Sequence, residues 1–157
     1  MNAPRLLVLA AAAASLAACA PRLIPGTQIP DNGDTRAVAK VLEQYQQACE
    51  RRDAAAVLAL VSPRYYDDAA TPDPADDLDY TALARVLPQD FARIDSVRMD
   101  LRVTDIQVDG DKAQAYVRYD ARYHVATRAG EVPRAQADVS RIRLVREQGA
   151  WKILSGL

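Results

Sequence analysis

The sequence predicts an α+β domain, with three N-terminal helices packed on an antiparallel sheet of about four strands. Two observations carry this. Apolar residues recur at the helical period between about residues 34 and 91, then alternate at the strand period from Ile94 onward. The alternating part is punctuated by turn signals at Asp109-Gly110, Ala129-Gly130 and Gln148-Gly149, spaced for consecutive hairpins. Helices first and hairpin-linked strands after pack as a helical layer on one sheet face.

Ahead of this domain the chain opens MNAPRLLVLAAAAASLAAC. Arg5 and the N-terminus form a short positive region, and Leu6 to Leu16 form an apolar stretch. That stretch is too short to span a bilayer, which needs about 20 residues, and it has the form of a secretory signal peptide. Leu16-Ala17-Ala18-Cys19 resembles the lipobox of bacterial lipoproteins: Leu at −3, small residues at −2 and −1, and Cys directly after. The resemblance implies cleavage before Cys19 and a diacylglycerol on its sulfur. The other reading, an ordinary signal peptide with a chance cysteine, would place Pro21 just after the cut. Ala20, in place of the Asp that resembles an inner-membrane retention signal, implies the outer membrane with the domain facing the periplasm. The expected organisation is therefore 1–18 signal peptide, 19–33 lipid anchor and tether, and 34–157 folded domain. Pro21, Pro25, Pro30, Gly26 and Gly33 make the tether extended, with a reach of at most about 46–50 Å.

A body of about 125 residues is enough to bury its own core. The formal net charge of −1 and the lack of a basic stripe with interleaved aromatics argue against nucleic acid. The charge is uneven: residues 19–92 hold 7 bases and 12 acids, and residues 93–157 hold 12 bases and 9 acids. Complementarity within the fold accounts for that asymmetry.

The first helix follows Asp34 or Thr35 as cap. Val38, Val41, Leu42, Tyr45, Ala48 and Cys49 form one apolar stripe along it, which buries the Cys49 thiol. Asp53 caps a second helix over Ala54 to Val61, closed by Ser62-Pro63. Arg64 to Asp79 is irregular and acidic. Its spacing, with no turn glycine, does not fit a calcium loop, so the acids are expected to face solvent. Asp79 caps a third helix bearing Leu83, Val86 and Leu87, which Pro88 breaks or restarts as a turn through Phe91.

In the first strand Val97, Met99, Leu101 and Val103 alternate with polar residues. In the second, Ala113, Ala115, Val117, Tyr119, Ala121, Tyr123 and Val125 face the helices, while Tyr116, Arg118, Asp120, Arg122 and His124 face away. A third strand runs from about Ala135 to Arg146. Its apolar parity slips between Val139 and Ile142, which predicts a bulge. The last strand holds Trp151-Lys152-Ile153-Leu154.

This order, with the strings YQQACERRDAAAVLALVSPRYYDD, VDGDKAQAYVRYDARY and RIRLVREQGAWKILSGL, resembles the nuclear transport factor 2-like superfamily, which includes ketosteroid isomerases and polyketide cyclases. The resemblance spans about residues 34–157. It implies a cone, a sheet curved around helices with a pocket at the open end, and it leaves activity open because the fold hosts many.

The chain has no Gly-rich phosphate loop, G-x-S-x-G, CxxC or H-E-x-x-H, and a lone His124 makes no metal site. Nothing points to a cofactor or a metal. Three readings remain. In the first, the cone is a non-catalytic pocket for a small apolar ligand, lined by Tyr45, Tyr66, Met99, Tyr119, Tyr123 and Trp151, with Tyr65 nearby. In the second, the resemblance implies an isomerase-like or cyclase-like site, with Tyr45 as a hydrogen-bond donor to an oxyanion, Asp67 or Asp68 as base and Asp138 as a third acid. In the third, the outer face with Tyr116, Arg118, Asp120 and Arg122 pairs with a second copy. Tyr45 also fits plain core packing, and Asp67 and Asp68 also fit a solvated loop.

Overall fold

The computed structural model describes residues 22–69, 71–128 and 130–157. Cys19 and the expected signal segment lie outside the described residues. Three helices, α1 (Gly33–Glu50), α2 (Ala54–Leu60) and α3 (Tyr80–Ala92), precede a four-stranded sheet. Two short strands, β1 (Tyr66–Asp67) and β2 (Leu78–Asp79), pair with each other between α2 and α3. The main sheet is β3 (Ile94–Asp109), β4 (Lys112–Thr127), β5 (Gly130–Glu147) and β6 (Ala150–Ser155), antiparallel in sequence order.

The α1 stripe forms as its spacing dictates, with Val38, Val41, Leu42, Ala48 and Cys49 all buried. Its cap lies earlier than expected. Asn32, rather than Asp34 or Thr35, accepts from the N–H groups of Asp34 and Thr35 at 3.0 Å each. The Thr35 hydroxyl accepts in return from the Asn32 N–H at 3.2 Å, so two donors that a helix start leaves open are satisfied together. Asp34 is thereby released to pair with Arg146 at 2.8 Å, and the Arg146 guanidinium also lies 4.5 Å from the centre of the Trp151 ring. One arginine thus ties the start of α1 to the last hairpin, with a cation–π contact added to the ion pair.

Residues 22–31 differ from the expected tether. Leu23 bridges Pro30, the Ile24 N–H donates to the Ile29 carbonyl at 2.9 Å, and Ile29 is 2 % exposed in the core. Gly26 takes the positive φ of 78° that this reversal needs, and the side chain of Ile29 supplies the burial that holds it. Prolines and glycines here make a tight turn instead of an extended arm.

Asp53 and Asp79 cap α2 and α3 as expected, accepting from Ala56 N–H at 2.9 Å and Ala82 N–H at 2.7 Å. Pro88 does not end α3, which runs on to Ala92. The ring sits on the exposed side, where the carbonyl it leaves unpaired can be hydrated.

In β4 the odd-numbered residues face the helices, and Ala113, Ala115 and Val117 are buried. The bulge falls elsewhere than expected. β4 and β5 pair without interruption from Lys112↔Val145 to Thr127↔Gly130. The register shifts instead lie in β3, between Ile94 and Ser96 and between Val103 and Asp105, and against β6 between Arg143 and Leu144. The apparent slip at Val139 has another cause. Strict pairing puts Gln136, Asp138 and Ser140 opposite Ala121, Tyr119 and Val117 on the concave face, and sends Val139, 62 % exposed, to the outer face.

The β3 edge is covered by α1. Gln46 Nε2 donates to the Met99 carbonyl at 2.6 Å, and Glu50 Oε1 accepts from the Met99 N–H at 3.0 Å. Two side chains one helical turn apart take the place of a neighbouring strand. At the other edge, the Ser62 N–H donates to the Ile153 carbonyl at 2.8 Å. Arg64 and the Ser62 hydroxyl, at 2.9 Å each, converge on one carboxylate oxygen of Glu147.

Candidate functional site

Across the concave face the sheet has two ends. Near the β3–β4 hairpin, Ile106, Ala113, Ala115, Ile142, Leu144, Trp151 and Ile153 meet α1 and α2 and are buried. Toward the other end the helices no longer cover the strands, and a cavity of about 660 Å³ opens. This volume lies within the range of small-molecule sites. One wall is apolar: Val97, Met99 and Leu101 of β3, with Phe91 of α3. The floor is β4, where Ala121 lies between Tyr119 and Tyr123 in the inward row, so the small residue leaves the space open. The opposite wall is Gln136, Asp138 and Ser140 of β5.

Tyr45 and Cys49, one turn apart on α1, close the deep end. Burial, followed by the neighbouring Cys49 thiol, pushes the Tyr45 phenol well above its ordinary range. Burial likewise pushes the Cys49 thiol up to about 11, against the lowering effect of its hydrogen bond with Tyr45. Both groups are therefore protonated near neutral pH, as burial without a compensating charge requires.

Asp67 borders the cavity, but its oxygens are engaged. Oδ2 accepts from the Tyr65 hydroxyl at 3.3 Å and from the Gly156 N–H, and Oδ1 accepts from the Ala69 N–H at 3.1 Å. Gly156 has φ of 97°, and a Cβ there would sit 2.5 Å from the Arg141 carbonyl. The C-terminal segment therefore passes close against β5, and the Ser140 hydroxyl donates to the Gly156 carbonyl at 3.3 Å. Burial raises the Tyr65 phenol above its usual range, with the Asp67 carboxylate beside it adding to the shift. Among the described residues no group of acids, histidines and cysteines could hold a metal ion.

Comparison with known proteins accords with this geometry. Residues 38–156 match the SnoaL-like domain, a span reaching from the α1 stripe to the segment that touches Asp67. The chain belongs to the SnoaL-like domain family. The fold is the cone of the nuclear transport factor 2-like superfamily, and solved structures repeat it. A conserved protein from Planctomyces limnophilus has a TM-score of 0.67 at 15 % identity, covering 78 % of this chain and 92 % of its own. A ketosteroid isomerase-like protein from Erwinia carotovora atroseptica has a TM-score of 0.62 at 19 % identity, covering 80 % and 95 %. A scytalone dehydratase-like protein from Novosphingobium aromaticivorans has a TM-score of 0.67 at 13 % identity, covering 78 % and 80 %. No curated protein matches the sequence.

Of the residues singled out in the sequence, this SnoaL-like domain brings Tyr45, Asp67, Asp68, Met99, Tyr119, Tyr123 and Asp138 to the cavity. Tyr66 and Trp151 are not in its lining. The Tyr66 hydroxyl donates to Asp77 in the acidic loop, and Trp151 is buried under Arg146. Asp68 is exposed at the rim. Gln136 and Ser140 escaped the sequence reading. The signal for them was the polar run at inward positions of β5, which looks like a bulge when only apolar residues are counted. A second hollow, of about 700 Å³, lies at the end of the sheet among Ser96, Arg98, Arg122, His124 and Arg134. The His124 ring contacts the Ser96 hydroxyl there at 3.1 Å. Its lining mixes the charged Glu50, Arg98, Arg122 and Arg134 with Pro133 and Ala135, and it shares Val97 and Tyr123 with the first cavity.

Proposed function

We propose that this chain is a membrane-anchored periplasmic lipoprotein whose SnoaL-like domain binds a small, largely apolar molecule without transforming it. The cavity carries this reading: an apolar wall, an open floor at Ala121 and one polar wall are what a binding site needs. The engagement of Asp67 argues against turnover. A carboxylate offers about four acceptor sites, and three donors already occupy Asp67. The alternative enzyme, isomerase-like or cyclase-like with Tyr45 donating to an oxyanion and Asp67 or Asp68 as base, is favoured by the protonated, buried Tyr45 phenol at the deep end. With Asp67 as base, the substrate proton would have to reach the one acceptor site that its three donors leave open.

The anchor rests on Leu16-Ala17-Ala18-Cys19, and the described residues hold no helix long and apolar enough to cross a membrane. The outer sheet face is the assembly surface in the same reading. Arg98 lies opposite Arg122, Asp100 opposite Asp120, and Arg102 opposite Arg118, so like charges form bands across the strands. Within the chain these bands are partly neutralised along their own strands, Arg102 with Asp100 at 2.9 Å and Arg122 with Asp120 at 3.4 Å. A second copy turned end for end lays an acidic band on a basic one, beside Tyr116.

Native mass spectrometry of the full chain purified from membranes tests the reading. The expected result is a retained small molecule and a diacylglyceryl mass on Cys19. An unlipidated mature N-terminus would remove the anchor. A ligand-free protein that also takes up no added N-phenyl-1-naphthylamine would remove the binding function.

A further inference from the structure

Crossing the concave face of the open half from β3 to β5, the chemistry changes from purely apolar to hydrogen-bonding. The row Leu101–Tyr119–Asp138 runs straight across it, since Leu101 pairs with Tyr119 and Tyr119 pairs with Asp138. The next row, Met99–Ala121–Gln136, holds the gap in the floor. The Tyr119 ring leans diagonally across that gap, and its hydroxyl oxygen accepts from Gln136 Nε2 at 2.9 Å. Aromatic side chains reach such diagonal neighbours on a sheet.

A phenol has one proton to donate as well as oxygen lone pairs. With Gln136 donating to the oxygen, the proton of Tyr119 is turned away from Gln136 and is left to donate. Asp138 stands on the adjacent strand, about 5 Å away at the backbone. Its Oδ1 accepts from the neighbouring Val139 N–H at 2.7 Å, which orients the carboxylate and leaves Oδ2 as an acceptor at the cavity wall.

We propose that the cavity reads its ligand along one edge: Tyr119 donates to an acceptor oxygen of the ligand, and Asp138 accepts from a donor beside that oxygen. Gln136 is a positioning residue, holding the phenol so that its proton faces the ligand. The ligand class is a flat molecule of about three fused rings, apolar on the side toward Met99, Leu101 and Phe91, with an N–H next to a C=O on its other edge. A cyclic amide is the simplest such group. This inference rests on the ligand-binding reading above and adds the chemistry of what is bound.

The test uses the full chain and three tricyclic probes of nearly equal shape: 6(5H)-phenanthridinone with both edge groups, phenanthridine with the acceptor alone, and phenanthrene with neither. Affinities are measured by fluorescence titration. The expected order is phenanthridinone, phenanthridine, phenanthrene, with at least a ten-fold gap between first and last. Tyr119→Phe and Asp138→Leu should each close most of that gap. Gln136→Leu should narrow the ratio of phenanthridinone to phenanthrene, whereas a merely structural role would weaken both probes alike and leave that ratio unchanged. Circular dichroism confirms that each variant folds. An unchanged ratio in Tyr119→Phe overturns the proposal. If phenanthrene binds as tightly as phenanthridinone, edge recognition falls and the binding function stands. If no probe binds the wild-type chain, the proposal falls, and the binding function falls with it when N-phenyl-1-naphthylamine is not taken up either.

Discussion

The two ends of the concave face share β3, β4 and β5 and the same inward parity, with β6 bordering the filled end, yet one end is core and the other is cavity. At the hairpin end, Ala115, Ile142 and Ile153 are sealed by Val38 and Leu42 of α1 and by Val57 of α2. At the open end, Met99, Leu101, Tyr119 and Tyr123 remain only partly buried. The difference lies in the helical layer. At about 3.4 Å per residue the 16 residues of β4 span about twice the length of the 18-residue α1 at about 1.5 Å per residue, and α2 has only 7 residues, so the strands outrun what the helices can cover. A sheet longer than its helical layer makes a pocket without any special pocket sequence.

The sharpest way to break this comparison is to truncate one side chain at each end. Leu42→Ala, at the filled end, should cost about 2–5 kcal/mol in urea denaturation, because a fully enclosed cavity remains. Next in size is Asp67→Ala. It removes the acceptor of the Gly156 N–H and the Tyr65 hydroxyl and should cost about 1–3 kcal/mol. It should leave the N-phenyl-1-naphthylamine affinity within two-fold, since Asp67 acts here as a latch on the C-terminal segment. Met99→Ala, at the open end, should cost less than about 1 kcal/mol, well below the usual penalty for a core methionine. A Met99→Ala loss equal to that of Leu42→Ala would mean that the open half is core.

The smallest effect concerns the edge of the filled end. The Ser62 hydroxyl, then the Arg64 guanidinium, hold the Glu147 carboxyl below its ordinary range. A carboxyl whose folded value is lowered adds stability above its unfolded value and loses it as pH falls through the folded one. Glu147→Gln should therefore unfold at lower urea than wild type at pH 7, and the gap between the two midpoints should shrink as the pH falls below the ordinary carboxylate range. A gap that acid leaves undiminished would assign the loss to packing instead.

How much of this was legible in the sequence depends on the scale of the question. The α1 stripe and the inward parity of β4 could be read directly, because each is a local periodicity enforced by burial. The Asn32 cap was missed because a helix can start on Gly33 once Asn32 offers its side chain. The turn at residues 22–31 was missed because prolines and glycines serve tight turns and extended arms alike, and only the burial of Ile29 decides between them. The bulge was misplaced because Asp138 and Ser140 are polar at inward positions. A strand lining a cavity breaks the apolar rhythm that a strand lining a core keeps. Trp151 and Tyr119 looked equivalent as inward aromatics, and which of them meets a helix depends on helix length, a property that strand parity does not contain.

The central claim is that the open half holds a ligand, and Ala121 is the residue whose smallness opens it. Titration of the full chain with N-phenyl-1-naphthylamine, compared with Ala121→Trp, tests this most directly. Saturable one-to-one binding by the wild type, lost by at least ten-fold in Ala121→Trp with the urea midpoint kept, is the expected result. Binding that Ala121→Trp leaves untouched, or no saturable binding by the wild type, would contradict it.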